Sequence, residues 1–102
     1  MLAEFSVAPT DRGSEMSGPV AEIMKLIEES GLDYLVNPMG TVVEGPCDIV
    51  FDLIRRCHLR MRDFSDRVAT SVKIDDRQGA EGAIRRKLES VEEKLGRKLP
   101  RT

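Results

Sequence analysis

The chain has 102 residues, 40% of them hydrophobic and 33% charged, and its formal net charge is -2. This length provides one domain, spanning residues 1–102, with a single hydrophobic core and no room for a second. The slight acidic excess argues against nucleic acid as the main partner, because phosphate binding needs an excess of Lys and Arg on one surface.

The N-terminus and the cysteines indicate the compartment. The first nine residues are too short for a signal peptide or a transmembrane helix, and they include the charged Glu4. Cys47 and Cys57 are too few to build a disulfide framework. We therefore expect a cytoplasmic protein with reduced thiols and no membrane partner.

The first two predicted elements are a strand and a helix. Residues 2–8 alternate between an apolar face that contains Phe5 and a more polar face, which is typical of a strand covered on one side. Ser17-Gly18-Pro19 is a suitable helix start, apolar residues follow at helical spacing, and Gly31 is a suitable stop.

A hairpin and a second helix follow in the chain. Residues 32–37 and 41–44 have the composition of strands, and Pro38-Met39-Gly40 between them is typical of a tight turn. Gly45-Pro46 ends the hairpin, and an apolar stripe predicts a helix from residue 48 to about residue 61.

A fourth strand and a third helix complete the pattern. Residues 67–75 alternate as a strand does, and residues from about 79 to 95 carry apolar side chains along one side of a helix. The order βαββαβα, with right-handed crossovers, predicts an α+β fold of the ferredoxin-like type. Such a fold is a four-stranded antiparallel sheet with two helices on one face, here with an extra C-terminal helix.

One face of the predicted sheet points away from the two packed helices. The first and third strands are central in this topology, and Ser6 lies on that outer face with Glu4, Ser71 and Lys73, beside the apolar Leu2. The face is either exposed, covered by the third helix or buried against another subunit. Its mixture of polar and apolar groups favours burial in an oligomer with polar pockets.

Few residues have the spacing that catalysis or metal binding requires. His58 is the sole histidine, and its side chain diverges from that of Cys57 by about a hundred degrees if both lie on one helix. Cys47 lies near a helix start, which favours a reactive thiolate, but neighbouring Asp48 opposes it. The pair Asp75-Asp76 is more typical of a solvated turn than of a cation site. We expect no catalytic residue, no metal and no cofactor.

Three segments of the chain are similar to a known family. They are the segment SGLDYLVNPMGTVVEG at residues 30–45, which contains the hairpin, the strand RVATSVKIDDR at residues 67–77 and the helical segment KLESVE at residues 87–92. Together they resemble the small thiamine-binding-protein family, and the resemblance extends from the first strand to the last helix.

The resemblance implies dimers or tetramers (dimers of dimers) that associate through their sheets, and binding of thiamine or a related pyrimidine of the hydroxymethylpyrimidine type without catalysis. The implied ligand-binding residues are Ser6, Tyr34, Asn37, Met39, Gly40, Thr41 and Glu44. Glu44 is expected to meet the aminopyrimidine or the cationic thiazolium, and Tyr34, Phe5 or Phe51 to offer an aromatic surface. Relatives often carry an aromatic residue where this chain has Gly18-Pro19, and that departure would alter the pocket.

Two other functions are compatible with the sequence. The second possibility, after ligand binding, is a regulatory or scaffolding oligomer with a protein or another metabolite as its ligand, since ferredoxin-like sheets host many functions. In that case the hairpin is held by turn residues alone, and Glu44 pairs with Lys73 of another subunit. A small isomerase that uses Glu44, Cys47 or His58 is the third possibility.

Overall fold

The computed structural model describes residues 1–11, 17–79 and 82–99. The seven elements are β1 (Leu2–Pro9), α1 (Ser17–Glu29), β2 (Asp33–Asn37), β3 (Gly40–Glu44), α2 (Cys47–Met61), β4 (Val68–Asp75) and α3 (Ala83–Leu95). The predicted order is confirmed, and so is the ferredoxin-like α+β fold with an additional C-terminal helix.

The start of α3 differs from the sequence prediction. The helix begins at Ala83 and not near Gly79, while residues 80 and 81 lie outside the described part of the chain. Gly79 and Gly82 have φ angles of 80° and 69°, in the left-handed region that a right-handed helix does not contain. The regular helix therefore starts only after Gly82.

The sheet has the order β2-β3-β1-β4, and all neighbouring strands are antiparallel. The first and third strands are central, as predicted. Directly paired residues share a face, so Ala3 and Val43, which are paired, both point into the core with Phe5. Their neighbours Leu2, Glu4 and Ser6 point to the opposite face, which we call the open face.

Helices α1 and α2 cover the inner face of the sheet. Apolar residues recur along α2 at intervals of three and four, so one stripe of the helix meets the sheet. The buried core consists of Ala3, Phe5, Ile23, Ile27, Val43, Val50, Leu53, Ile54, Cys57 and Met61. Burial raises the pKa of the Cys57 thiol to about 11, which keeps this cysteine protonated and unreactive, whereas Cys47 is exposed.

Polar contacts at its first turns attach helix α3 to the sheet. The Glu44 carboxylate accepts hydrogen bonds from the backbone N–H groups of Ala83 at 2.8 Å and Ile84 at 3.4 Å. The Lys87 ammonium contacts the Asp75 carboxylate and lowers the pKa of that carboxyl. Glu44 thus satisfies backbone donors that a helix start leaves without partners, at an end where Gly82 offers no capping side chain.

The apolar side of α3 is only partly used within the chain. Val91 and Leu95 are 48% and 51% exposed, and the one buried residue of the helix is Glu92, whose carboxylate accepts the Leu99 N–H. The sequence pattern places Ile84 and Leu88 on the same side, and both are half-buried. The far half of α3 therefore presents an apolar surface that the described residues leave exposed.

We expect Glu44→Ala to loosen α3. Loss of a helix-capping acceptor typically costs about 1 kcal/mol of stability, and here it also removes a link between the helix and β3. Urea denaturation should show a loss of this size, and hydrogen exchange at residues 83–95 should accelerate selectively. Glu89→Ala, at an exposed position of the same helix, is the matched control. Unchanged exchange in α3 of the Glu44 variant would contradict this role.

Candidate functional site

β1 pairs with its two neighbouring strands over different lengths. β1 pairs with β4 along its whole length, from Leu2–Asp75 to Pro9–Val68. It pairs with β3 only as far as Phe5–Thr41, because the chain turns away at Gly40 into the hairpin loop. The second half of β1 therefore has a neighbouring strand on one side only, and a recess opens on the other side. We call this recess the notch.

The notch has a volume of about 340 Å³, within the range of small-molecule sites. Three segments enclose it: the second half of β1, the first turns of α1 and the hairpin turn. Its lining residues are Phe5, Ser6, Val7, Ala8, Val20, Ile23, Met24, Val36, Asn37, Pro38, Met39, Gly40 and Thr41. The walls are largely apolar, and they belong to elements that also build the core.

Two residues fix the shape of the hairpin turn. The Asn37 side-chain oxygen accepts the backbone N–H of Met39 at 2.8 Å, which is an Asx turn. A Cβ atom on Gly40 would lie 2.7 Å from the Phe5 carbonyl oxygen, so a side chain cannot be placed there without moving the backbone. Gly40 thus allows the turn to press against β1 at the point where the notch begins.

The described part of the notch carries polar groups but no charge. None of the described residues that line it has a titratable side chain. Its polar side chains are the buried hydroxyl of Thr41 and the half-buried carboxamide of Asn37, while Ser6 lines the notch with its side chain directed to the open face. Such a cavity suits a flat, uncharged ring with hydrogen-bonding groups on one edge.

The structure brings most of the sequence-predicted site residues together. Ser6, Asn37, Met39, Gly40 and Thr41 all line the notch, and Met39 is 84% exposed at its mouth. The grouping follows from the hairpin turn, which places these residues next to β1. A ligand contact from each of them remains a prediction.

Tyr34 and Glu44 lie elsewhere, near the other end of the hairpin. They line a smaller depression of about 120 Å³ beside the start of α3. Both Glu44 carboxylate oxygens are used there as acceptors for α3, and Tyr34 is 41% exposed on the edge strand. The structure therefore does not place the expected carboxylate or tyrosine ring at the notch.

The apolar wall from α1 was not among the predicted site residues. Val20, Ile23 and Met24 supply it, and of the three aromatic residues considered from the sequence only Phe5 reaches the notch. Phe51 is 48% exposed on α2. The signal for this wall was the first turn of α1, where Gly18-Pro19 departs from the family pattern, because that turn lies beside the notch.

A larger cavity, of about 600 Å³, lies between α3 and the open face. Its charged lining includes Glu44, Asp75 and Lys87, which hold α3 to the sheet through the contacts described above. One wall of this cavity is α3 itself, which is attached through those contacts. The notch, by contrast, is enclosed by core elements and has polar groups that converge, so it is the stronger candidate site.

The other residues considered for chemistry have structural surroundings. His58 Nδ1 lies 2.6 Å from the Thr70 hydroxyl, which links α2 to β4. The described residues contain no group of three or more His, Cys, Asp or Glu side chains placed to hold a metal ion. Within the same part of the chain, no helix has both the length and the apolar character needed to cross a membrane.

Comparison with known proteins identifies relatives across most of the chain. Residues 3–92 match the model of a family described as thiamine-binding protein. The UPF0045 protein MJ1052 of Methanocaldococcus jannaschii is 33% identical over 93 residues, covering 91% of this chain and 93% of its own. A UPF0045 protein of Methanothermobacter thermautotrophicus is 34% identical over 98 residues, covering 93% and 99%.

Solved structures agree with the fold. The crystal structure of MJ1052 superposes with a TM-score of 0.83 at 34% identity, covering 90% of this chain and 95% of its own. A Thermotoga maritima protein named for thiamine biosynthesis or salvage has a TM-score of 0.72 at 21% identity, covering 93% and 94%, and supports the fold alone. On the family match and the relatives above 30% identity, this chain belongs to the thiamine-binding protein family.

Proposed function

We propose that this protein binds thiamine, or a pyrimidine of the hydroxymethylpyrimidine type, in the notch and catalyses no reaction on it. The observation that carries the proposal is the position of the hairpin turn. Residues 37–41, within the hairpin that resembles the family, close a cavity of about 340 Å³ at the end of β1, and the described residues that line it carry no charge. Membership of a family described as thiamine-binding supports the choice of ligand.

The chemistry of the aminopyrimidine matches the notch. The ring is flat and neutral, its faces are apolar, and its edge carries hydrogen-bond donors and acceptors. Val20 and Met24 can contact a ring face, while the Thr41 hydroxyl and the Asn37 amide group can hydrogen-bond to its edge. Since the Asn37 oxygen already holds the Met39 N–H, its NH₂ group is the part that is offered to a ligand.

The cationic thiazolium needs a different environment from that of the pyrimidine. A depression of about 140 Å³ adjoins the notch on the open face and shares Ser6 and Met39 with it. Glu4 lies in this depression, opposite Lys73 on the neighbouring strand. We assign the thiazolium to this side of Met39, beside the carboxylate of Glu4, with the ammonium of Lys73 at the other side of the depression.

The non-catalytic part of the proposal rests on the lining of the notch. Among the described residues that line the notch, none has a titratable side chain that could act as a general base for the Thr41 hydroxyl. The exposed Cys47 is not among the lining residues, and neither is His58. Binding and release of an unmodified ligand are what these groups can perform, in a cytoplasmic setting that the two free thiols favour.

Thiamine binding can be tested by thermal unfolding and calorimetric titration. A ligand at a hundred times its dissociation constant adds about 2.7 kcal/mol of stability, so thiamine or hydroxymethylpyrimidine should raise the melting temperature visibly. Thr41→Val keeps the shape of the residue and removes its hydroxyl, so we expect binding to weaken roughly three- to tenfold. Ser90→Ala, which removes a hydroxyl from α3, is the matched control.

The same titration distinguishes the alternatives. Unaltered stability with both compounds would contradict thiamine binding and favour a scaffolding oligomer. If Glu44→Ala abolishes binding while α3 stays ordered, the ligand role implied by the family resemblance holds for Glu44 and the notch is not the whole site. If Glu44→Ala loosens α3 and leaves affinity unchanged, the role of Glu44 is structural.

We further propose that the protein is a homo-oligomer that associates through the open face. Leu2, Leu35 and Val42 are half-buried apolar residues on that face, and the exposed apolar side of α3 adds Val91 and Leu95. Apolar groups on both a sheet face and a nearby helix are typical of surfaces covered by a second copy. A dimer, or a tetramer of two dimers, would bury them.

Sedimentation velocity should show a mass above that of one chain. Val42→Lys places an ammonium at the centre of the open face, where Glu4 on the paired strand can accommodate it within one chain. We expect this variant to remain folded and to shift to a smaller species. Leu59→Lys, at a 40% exposed position of α2, should leave the assembly intact. An unchanged mass for the Val42 variant would show that another surface forms the contact.

A further inference from the structure

The backbone of β1 beside the notch has a defined orientation. Met1 and Gly45 lie one residue outside β1 and β3. The Met1 amino group donates to the Gly45 carbonyl oxygen at 2.9 Å, and the Gly45 N–H donates to the Met1 carbonyl oxygen at 3.1 Å, so the two residues form a bonded pair that extends the β1–β3 ladder. Bonded residues recur at every second position of an antiparallel strand. The odd-numbered residues of β1 therefore direct their N–H and C=O groups towards β3.

The opposite side of β1 confirms the alternation. Thr10 donates its N–H to the Arg67 carbonyl oxygen at 2.9 Å, which assigns the even-numbered residues to β4. Val7 is odd-numbered and lies beyond Phe5, the last residue of β1 paired with β3. Both main-chain groups of Val7 consequently point into the notch.

The residue that would continue the β3 ladder opposite Val7 is Met39, and it is not in a position to do so. Its N–H is taken by the Asn37 side chain at 2.8 Å. Within the described part of the chain, no main-chain hydrogen bond joins Val7 to the hairpin turn. The notch therefore contains one donor and one acceptor, side by side on a strand edge, in the place of a ladder partner.

We propose that the main chain of Val7 is the element that recognises the ligand. Its N–H donates to a ring nitrogen, and its C=O accepts from an amino group on the adjacent ring carbon, as a strand partner would do. The ligand class is then a flat heterocycle with an amino group beside an unprotonated ring nitrogen, which the aminopyrimidine half of thiamine satisfies. This inference rests on the proposed function and specifies which part of the ligand is read.

The Val7 N–H and C=O groups should discriminate between thiamine and its oxo analogue. In the oxo analogue of thiamine, a carbonyl oxygen replaces the amino group and the neighbouring ring nitrogen carries a hydrogen. Its edge places an acceptor opposite the Val7 C=O and a donor opposite the Val7 N–H, so both contacts become repulsive. Hydroxymethylpyrimidine keeps the favourable edge, whereas the thiazole half of thiamine alone lacks it.

Two arms of one calorimetric experiment test the proposal. In the first, the unsubstituted protein is titrated with thiamine, with its oxo analogue and with hydroxymethylpyrimidine. In the second, thiamine is titrated into Val7→Pro and Val7→Ala. Proline removes the N–H that faces the notch and leaves the β4 ladder intact, because Val7 does not bond to β4. Alanine removes most of the side chain and keeps the N–H.

We expect the oxo analogue to bind at least roughly tenfold more weakly than thiamine, and Val7→Pro to lose affinity by a similar factor relative to Val7→Ala. If Val7→Pro fails to fold, the analogue comparison decides alone. Equal affinity for thiamine and its oxo analogue would overturn the inference and leave thiamine binding standing. Absence of binding by thiamine and hydroxymethylpyrimidine to the unsubstituted protein would overturn the proposed function, and this inference with it.

Discussion

The pairing of β1 with β3 ends at Phe5 and Thr41, and the candidate site depends on where it ends. β4 continues along β1 to Pro9, so the strand stays straight and anchored while its other edge is released. Gly40 makes this possible, because only a residue without a Cβ can turn so close to the Phe5 carbonyl. The uncovered edge and the apolar start of α1 then enclose a cavity whose described lining residues offer hydrogen-bonding groups and no charge.

The two ends of the β2–β3 hairpin have separate tasks in this account. The turn end, with Asn37 and Thr41, closes the notch, whereas the other end places Glu44 under the start of α3. The open face between them carries the apolar residues that we propose a second copy covers. The aminopyrimidine site and the assembly surface would thus use different parts of one hairpin, while the thiazolium side of the site, at Glu4, adjoins the open face.

Much of the fold follows from local sequence patterns. The alternation in residues 2–8 and the apolar stripe of α2 each depend on neighbours within a few positions, and both predictions are confirmed. The start of α3 depends on the left-handed backbone at Gly82, which periodicity does not reveal. The position of Glu44 depends on a contact with Ala83, 39 positions along the chain, and the resemblance alone gave no reason to expect it. The α1 wall of the notch likewise arises from packing between distant segments.

We propose that the ligand binds in the notch at the end of β1. A titration of ¹⁵N-labelled protein with thiamine, followed by amide chemical shifts, tests it most directly. We expect the largest shifts at residues 6–8, 20–24 and 37–41, with the Val7 amide among them. Shifts concentrated at Glu44 and the first turns of α3, with residues 6–8 unaffected, would contradict it and place the ligand beneath α3.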